Sequence, residues 1–507
     1  MEIYAYAASG FQGALISVEV DIRRGIPAFD IVGLPDGAVR ESRERVRVAL
    51  RRCGYTLPAQ HILVNLAPGS LRKEGTGYDL AIALGLLVAS GQLEQNEETG
   101  ALLCIGELLL DGRVLPVPGV LPAAAAALEL GVEKFLVPQG NLEEAQSLPR
   151  GRASGLHHLQ DLPQLFTEPW PEPSVLQFPS RSGMAGEVVD LAEMRGQPIL
   201  RRMLEIAAAG GHHLLLFGPP GSGKTMACRS LPGLLPPLMA PQSLQATRIW
   251  SQAGKLAPEE GLLYRPPFRE PHHSASAEGM VGGGASLQPG EVSLAHEGVL
   301  FLDEVPEFAP RVLQALREPL GSQRVSLSRA GRSTVYPARF QMVLAMNACP
   351  CGNLGKADGS CTCMPHDIRR YWRRLGGALL DRVDLRMPLH PEPAPVLLQG
   401  PGECSERIAE RVLQCQRMQR ERQGNRLNVQ LTPQDLNQVA TLGEEARFYL
   451  GKAVDKLALS SRAVHSCLRV ARTIADLDDR PDLVTDDLLE ALEYRRFGDK
   501  DLSWFVL

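Results

Sequence analysis

Residues 218–225 read GPPGSGKT, directly after the apolar run HHLLLF (212–217). The octapeptide fits the pattern G-x-x-x-x-G-K-[ST] at Gly218, Gly223, Lys224 and Thr225, and it sits where a buried strand gives way to a helix. Gly218, Gly221 and Gly223 let backbone N–H groups come close to a phosphate, with Pro219, Pro220 and Ser222 completing the loop. The helix start that follows adds the positive end of its dipole. Lys224 is a point charge for the β- and γ-phosphates, and Thr225 offers its hydroxyl to Mg²⁺. A glycine-rich turn without a ligand needs none of these together. The stretch therefore predicts ATP and Mg²⁺ as cofactors, in a parallel sheet covered by helices.

Working outward, GVLFLDE (298–304) sets four apolar residues before Asp303 and Glu304. A buried strand ending in two carboxylates, downstream of a phosphate loop, suits a Mg²⁺ partner in Asp303 and a base orienting the attacking water in Glu304. A solvated acidic loop is the plain alternative. FQMVLAMN (340–347) ends a third apolar strand at Asn347, whose amide can help position that water. GALLDRVDL (377–385) presents Arg382 between Asp381 and Asp384. Arg382 is either a finger for a neighbour's nucleotide, which requires an oligomer, or a partner in a local ion pair.

The chain has 507 residues, 44% hydrophobic and 22% charged, which suits two or three soluble domains. PQLFTEPWPEPSVLQFP (163–179) carries five prolines and reads as a linker. The expected division is a first domain over 1–162, a Pro-rich linker over 163–189, an ATPase core over 190–395 and a helical lid over 396–507. ECSERIAERVLQCQRMQRER (403–422) is one of several amphipathic stretches in that lid. No apolar run approaches the ~20 residues of a membrane span, and the start has no leader pattern, so the cytoplasm is expected, with no membrane partner. With a net charge of −5, any nucleic-acid contact needs a local basic surface.

Four of the ten cysteines crowd into CPCGNLGKADGSCTC (349–363). Cys349, Cys351, Cys361 and Cys363 can surround structural Zn²⁺, with His366 as a weaker further ligand. Four reduced thiols or two disulfides are the alternatives, and a cytoplasmic setting disfavours the disulfides. RVSLSRAGRSTVYPARF (324–340) alternates apolar and polar residues about RAGR and predicts a β-hairpin with Gly331 at its tip and Arg329 and Arg332 projecting. SAEGMVGGGASLQPGE (276–291) is expected to be a flexible insert because of its glycines. RESRERVRVALRR (40–52) interleaves acids with its arginines and reads as a surface helix.

The order of these pieces resembles the AAA+ ATPases. FREPHHSASAEGMVGGGASLQPGEVSLAHEGVLFLDE (268–304) and REPLGSQRVSLSRAGRSTVYPARFQMVLAMNACPCG (317–352) are similar to the magnesium-chelatase-like branch, specifically the ComM (YifB) family. The likeness runs the length of the chain, including DIVGLPDGAVRESRERVRVAL (30–50) and NLAPGSLRKEGTGYDLAIALGLL (65–87). It implies a homo-hexameric helicase that drives branch migration of DNA, single-stranded or branched, during natural transformation, with recombination proteins as further partners. It also implies sensor 1 at Asn347, the arginine finger at Arg382, sensor 2 at Arg462, and a pore hairpin whose Arg329 and Arg332 grip DNA phosphates without reading bases. One departure is visible: the family usually has Pro after the sensor Asn, and here Ala348 follows.

The first domain resembles the Lon-protease-like (S5 domain 2-like) α+β fold. The slot of the catalytic serine, in EGTGYD (74–79), holds Gly77, and the slot of the lysine, in PVPGVL (116–121), holds Leu121. Thr76 is adjacent but has no evident base. Proteolysis is therefore disfavoured. Two rivals remain: a magnesium-chelatase-type motor subunit, and a nucleotide-gated scaffold without turnover.

Overall fold

The computed structural model describes all residues except 9, 12, 94–99, 174–188, 258–260, 330–331, 357–358, 399 and 498–507. The first domain is a seven-stranded mixed sheet. Its order is Ala28–Val32, His61–Ala67, Ala14–Arg23, Glu2–Ala7, Ala101–Cys104, Lys134–Pro138, Arg152–Leu156. Alternate residues of a strand point to opposite faces. Leu102 and Leu136 thus join one apolar core with the helices Gly37–Arg52 and Asp79–Ala89, while Leu103, Phe135 and Val137 join another with the helix Val120–Glu129.

Two expectations change here. In the helix Gly37–Arg52, Arg45 turns inward, and its Nε lies 2.7 Å from Oδ2 of the fully buried Asp79. Asp79 also accepts from the Leu108 N–H at 3.2 Å, so the pair is a buried peg rather than surface decoration. The Pro-rich stretch expected to open a linker at 163 instead opens as the helix Leu162–Thr167, whose Leu162 and Phe166 are buried in the first core. Proline is tolerated in a first helical turn, where its missing N–H has no partner to lose.

The second unit is a five-stranded parallel sheet ordered Phe268–Arg269, Val299–Leu302, Gln341–Met346, Leu214–Phe217, Leu385–Pro388. Leu214 and Leu216 face the lid side; Leu215 and Phe217 face the other core. Burying each such side chain contributes about 2 kcal/mol. The lid supplies the helices Ser405–Gln423, Pro433–Val439, Glu444–Leu457, Ser461–Leu477 and Thr485–Arg495.

Lid and sheet meet at the end of the helix Pro198–Gly210. Gln341 Nε2 donates to Ala207 O at 2.9 Å, Gln416 Nε2 to Ala208 O at 2.9 Å, and Gln419 Nε2 to Ala209 O at 3.1 Å. A side chain at Gly210 would collide with His212 and with Thr473 of the lid. The first domain docks on the core through the helix Ala240–Gln252: the Gly119 N–H bonds Ser251 O at 3.1 Å, and Gln252 Nε2 bonds Gly10 O. Among the described residues no helix is long and apolar enough to cross a membrane.

Burial pushes His212 down from 6.5 to about 4, with Asp384 pulling partly the other way. The ring is neutral in the folded chain, and unfolding takes up a proton between pH 6.5 and 4. This contribution to stability is complete above about pH 6.5 and is lost as pH falls toward 4, a change on the order of 2–3 kcal/mol. His213 and His296 shift in the same direction for the same reason. Tm should therefore drop between pH 7 and pH 4.5, and His212→Gln should show a shallower drop. An unchanged slope in that variant counts against a neutral, buried His212.

Candidate active site

The phosphate loop leaves the strand Leu214–Phe217 and enters the helix Lys224–Ser230. Gly221 and Gly223 have φ of +79° and +83°, and no atom lies within 4 Å of where their Cβ would be, so the cradle is open. At Gly218 a Cβ would collide with Leu389 O, which fixes glycine there. The Lys224 side chain is buried and its Nζ donates to Gly218 O and Pro219 O, both at 2.8 Å. Burial lowers its pKa, and Asp303 partly restores it.

Thr225 Oγ1 donates to Asp303 Oδ2 at 2.9 Å. A hydroxyl and a carboxylate this close are the hard oxygen donors that Mg²⁺ takes. Glu304 follows with φ +50°, a left-handed conformation uncommon outside glycine, held by its N–H donating to Asp303 Oδ1 at 2.8 Å. The Glu304 carboxylate is 60% exposed and 3.6 Å from His273 Nδ1. The sequence reading passed over His273, although the paired histidines of EPHHSAS were its signal. Asn347 ends the strand Gln341–Met346 and is half-buried.

Among the described residues Arg382 forms no ion pair with either flanking acid, although, against the lowering by burial, the Asp381 charge raises its pKa in part. Its Nη1 donates only to Ala378 O, at 2.8 Å. Asp381 is taken by Arg462 (3.6 Å), Arg495 (3.4 Å) and Ser460 Oγ (2.9 Å). Asp384 accepts from the His213 N–H at 3.0 Å and from Ser466 Oγ. Burial and then Arg462 lower the Arg382 pKa. Arg382 and Arg462 line a cavity of about 540 Å³ together with Arg339, Arg420 and Arg469. The cavity wall includes His213, Gln341 and Asp384, at the starts of the strands, so it lies at the opposite end of the sheet from the phosphate loop. Arg462 therefore stands with Arg382 and away from its own chain's Lys224. Arg317, missed by the sequence reading, adds a further cationic charge beside Arg382.

The hairpin forms as Arg324–Arg329 against Arg332–Pro337, with Arg329 opposite Arg332; Gly331, expected at the tip, lies outside the described residues. Arg329 is exposed and has no ion pair among the described residues. Arg332 instead meets Glu74 of the first domain at 3.3 Å. Val325, Leu327 and Tyr336 form the buried face. Phe11 of the first domain packs edge-on to Tyr336 at 5.9 Å, and its N–H bonds Thr334 Oγ1 at 2.8 Å. The glycine-rich insert is not a loose loop. Ser276 caps the helix Ala277–Val281, Gly282–Gly283 pairs with Gln288–Pro289, Met280 is buried, and Leu287 O accepts from Tyr336 Oη at 3.0 Å.

Sγ of Cys349 lies 3.4 Å from that of Cys351, and Cys361 Sγ lies 3.7 Å from both; with Cys363 the four sulfurs fall within 4.8 Å of one another. Tetrahedral zinc with bonds of about 2.3 Å separates its sulfurs by about 3.8 Å, whereas a disulfide needs about 2.05 Å. The donor set fits Zn²⁺. His366 is outside the cluster, 75% exposed and 3.2 Å from Asp367. In the first domain, Thr76 Oγ1 donates to Glu107 Oε2 at 2.5 Å, and Leu121 is fully buried among apolar side chains.

Comparison with known proteins agrees with this geometry. Residues 190–396 match the family "Magnesium chelatase, subunit ChlI", 18–141 match "Subunit ChlI of Mg-chelatase", and 402–495 match its C-terminal family. Fold and site together define a magnesium-chelatase-like AAA+ ATPase. The chain is 42% identical over 498 residues to the uncharacterized protein YifB of Escherichia coli K12, covering 97% of this chain and 96% of that one. It is 40% identical over 498 residues to the competence protein ComM of Haemophilus influenzae, covering 97% of each. It belongs to the ComM (YifB) family. A shorter likeness, 25% identity over 149 residues, links 28% of this chain to 19% of the Lon protease of Mycolicibacterium smegmatis, in keeping with the Lon-like α+β first domain.

Glu304→Gln keeps the size of the side chain and removes its basicity. It should leave nucleotide affinity within about 2-fold and cut turnover by about 100-fold or more, the usual weight of a general base. Equilibrium binding of a fluorescent nucleotide beside a phosphate-release assay checks both. Turnover close to that of the unsubstituted protein removes Glu304 from the base role.

Proposed function

We propose that this protein is a ring-forming, ATP-driven DNA motor, a hexamer that promotes branch migration and unwinding during recombination of incoming DNA. The observation that carries the reading is Arg382. Among the described residues it forms no ion pair, and it lies with Arg462 at the end of the sheet remote from Lys224. A lone subunit thus has one half of the site at each end, and a closed ring joins them. Lys224 and the open loop would hold the phosphates, and Thr225 and Asp303 would hold Mg²⁺, which would supply positive charge to the phosphoryl group. Glu304, oriented by His273, accepts the proton of the water that attacks the γ-phosphorus as the bond to the ADP oxygen breaks. Asn347 positions that water, and Arg382 and Arg462 of the adjoining subunit stabilise the charge on the transferring group.

Output toward DNA is supported by the hairpin, where an exposed Arg329 and a half-exposed Arg332 sit on a rigid two-stranded arm, and by the competence name of the Haemophilus relative. The four-cysteine loop is read as a structural zinc site. Proteolysis has no support: Gly77 and Leu121 occupy the places of nucleophile and base. A chelatase-type subunit shares the same core, and DNA dependence separates the two readings.

Single-stranded DNA should stimulate ATP turnover, and a branched duplex should be unwound in the presence of ATP. Lys224→Ala should abolish both. Replacing Arg329 and Arg332 together by Ala should remove most of the DNA-stimulated increment, whereas an equal loss of DNA-free turnover would contradict the hairpin assignment. Glu74→Ala releases Arg332 from an exposed pair worth ~0.2–1 kcal/mol and should tighten DNA binding by up to about 5-fold. Lys224→Ala and Arg382→Ala, each inactive alone, should recover turnover when mixed. Turnover indifferent to DNA would remove the motor reading.

A further inference from the structure

The phosphate loop has a neighbour that the hydrolysis scheme leaves idle. The cysteine loop begins two residues after Asn347 and lies across both prolines of GPPGSGKT. Gly352, at φ +77°, stands so that its Cβ position is 3.4 Å from Pro220 Cδ and 3.8 Å from Asn347 Nδ2. Gly355, at φ +92°, stands in the same way 3.4 Å from Pro219 Cδ and 3.5 Å from His390 Nδ1. His390 Nδ1 lies 3.3 Å from Gly355 O, and His390 O accepts from Gln197 Nε2 at 3.0 Å. Leu389, one residue earlier, bonds Phe217 O through its N–H at 2.7 Å and supplies the carbonyl that underlies Gly218. The cysteine loop, the segment 389–390 and the phosphate loop therefore form one contact set.

The described residues of 349–363 contain neither helix nor strand. Its backbone bonds are short-range turns, such as Gly352 N–H to Cys349 O at 3.1 Å and Lys356 N–H to Asn353 O at 3.1 Å, and two of its contact points are glycines in the left-handed region. What gathers the loop is the cluster of four sulfurs. Cys349 is buried at its base, Cys361 and Cys363 are half-buried, and Cys351 is exposed, so solvent reaches the cluster from one side. Binding one metal ion closes a loop of this length and fixes several residues at once.

We propose that the cysteine loop is a metal-held brace of the nucleotide site. Zn²⁺ on Cys349, Cys351, Cys361 and Cys363 sets Gly352 and Gly355 against Pro220 and Pro219, and loss of the metal loosens the phosphate loop and weakens nucleotide binding. The inference rests on the zinc reading above. It makes the four cysteines positioning residues, acting through two prolines on a ligand they never touch. Because linkage is reciprocal, bound nucleotide must tighten zinc by the same factor that zinc tightens nucleotide.

The test uses the intact full-length protein. Metal content is measured by atomic emission. Zinc affinity is then measured by equilibrium competition with a chromophoric chelator, with and without saturating mant-ADP and Mg²⁺. One zinc per chain, held at least about 5-fold more tightly with mant-ADP, supports the brace. One zinc per chain with the same affinity in both conditions overturns the brace and leaves the zinc site standing. A protein that neither contains nor binds zinc removes the zinc reading, and the brace falls with it. Zinc-stripped protein and Cys361→Ser/Cys363→Ser, checked by circular dichroism, give the converse measurement. Their mant-ADP affinity should fall by the same factor, and in the stripped wild-type sample it should return on adding Zn²⁺. Unchanged affinity in folded samples overturns the proposal.

Discussion

An α-helix ends in carbonyls that have no partner inside it, and when such an end is buried each one left unmet costs about 1–3 kcal/mol. The end of the helix Pro198–Gly210 is buried between the ATPase sheet and the lid, and its last carbonyls are met by Gln341 from the sheet and by Gln416 and Gln419 from the lid. Much else depends on this knot. It fixes the strand Leu214–Phe217, which starts four residues later and carries the phosphate loop. It also fixes the lid helix Ser461–Leu477, whose Thr473 Oγ1 lies 2.8 Å from His212 Nε2. That helix brings Arg462 and Ser460 to Asp381, and among the described residues Arg382 is left without an ion pair.

Elements whose logic is local were legible in the sequence. Apolar runs that end in a phosphate loop, in Asp303–Glu304 or at Asn347 all proved to be fully buried strands. The sequence is least decisive where distant residues matter. At Arg382 it leaves a finger and a local ion pair both open, and the lid, eighty residues on, engages Asp381 through Arg462. Arg45 looks like surface charge until Asp79 meets it from another helix. The insert 276–291 looks loose by its glycine content, yet one buried Met280 and one serine cap fold it. The strand Phe268–Arg269 is too short to show any periodicity. The separation of Arg462 from Lys224 is set by where the lid packs on the sheet, which no local pattern records.

The first domain keeps the architecture of a Lon-like α+β fold. Leu121 is buried in its apolar core, and the Thr76 hydroxyl is bonded to Glu107. From the domain's loops, Gly10, Phe11 and Glu74 all reach the ATPase core or its hairpin.

That grip has a mechanical meaning. A two-stranded ribbon is marginally stable by itself. Here the inner face of the hairpin is wedged by Phe11 on one side and pinned through Tyr336 to the insert on the other. A pull on Arg329 along the ribbon would be resisted in shear by the whole contact face rather than peeled open one hydrogen bond at a time. The load would pass into two separate bodies, the first domain and the sheet. The arm is built for stiffness, so a displacement at its root should reach its tip with little lost to bending.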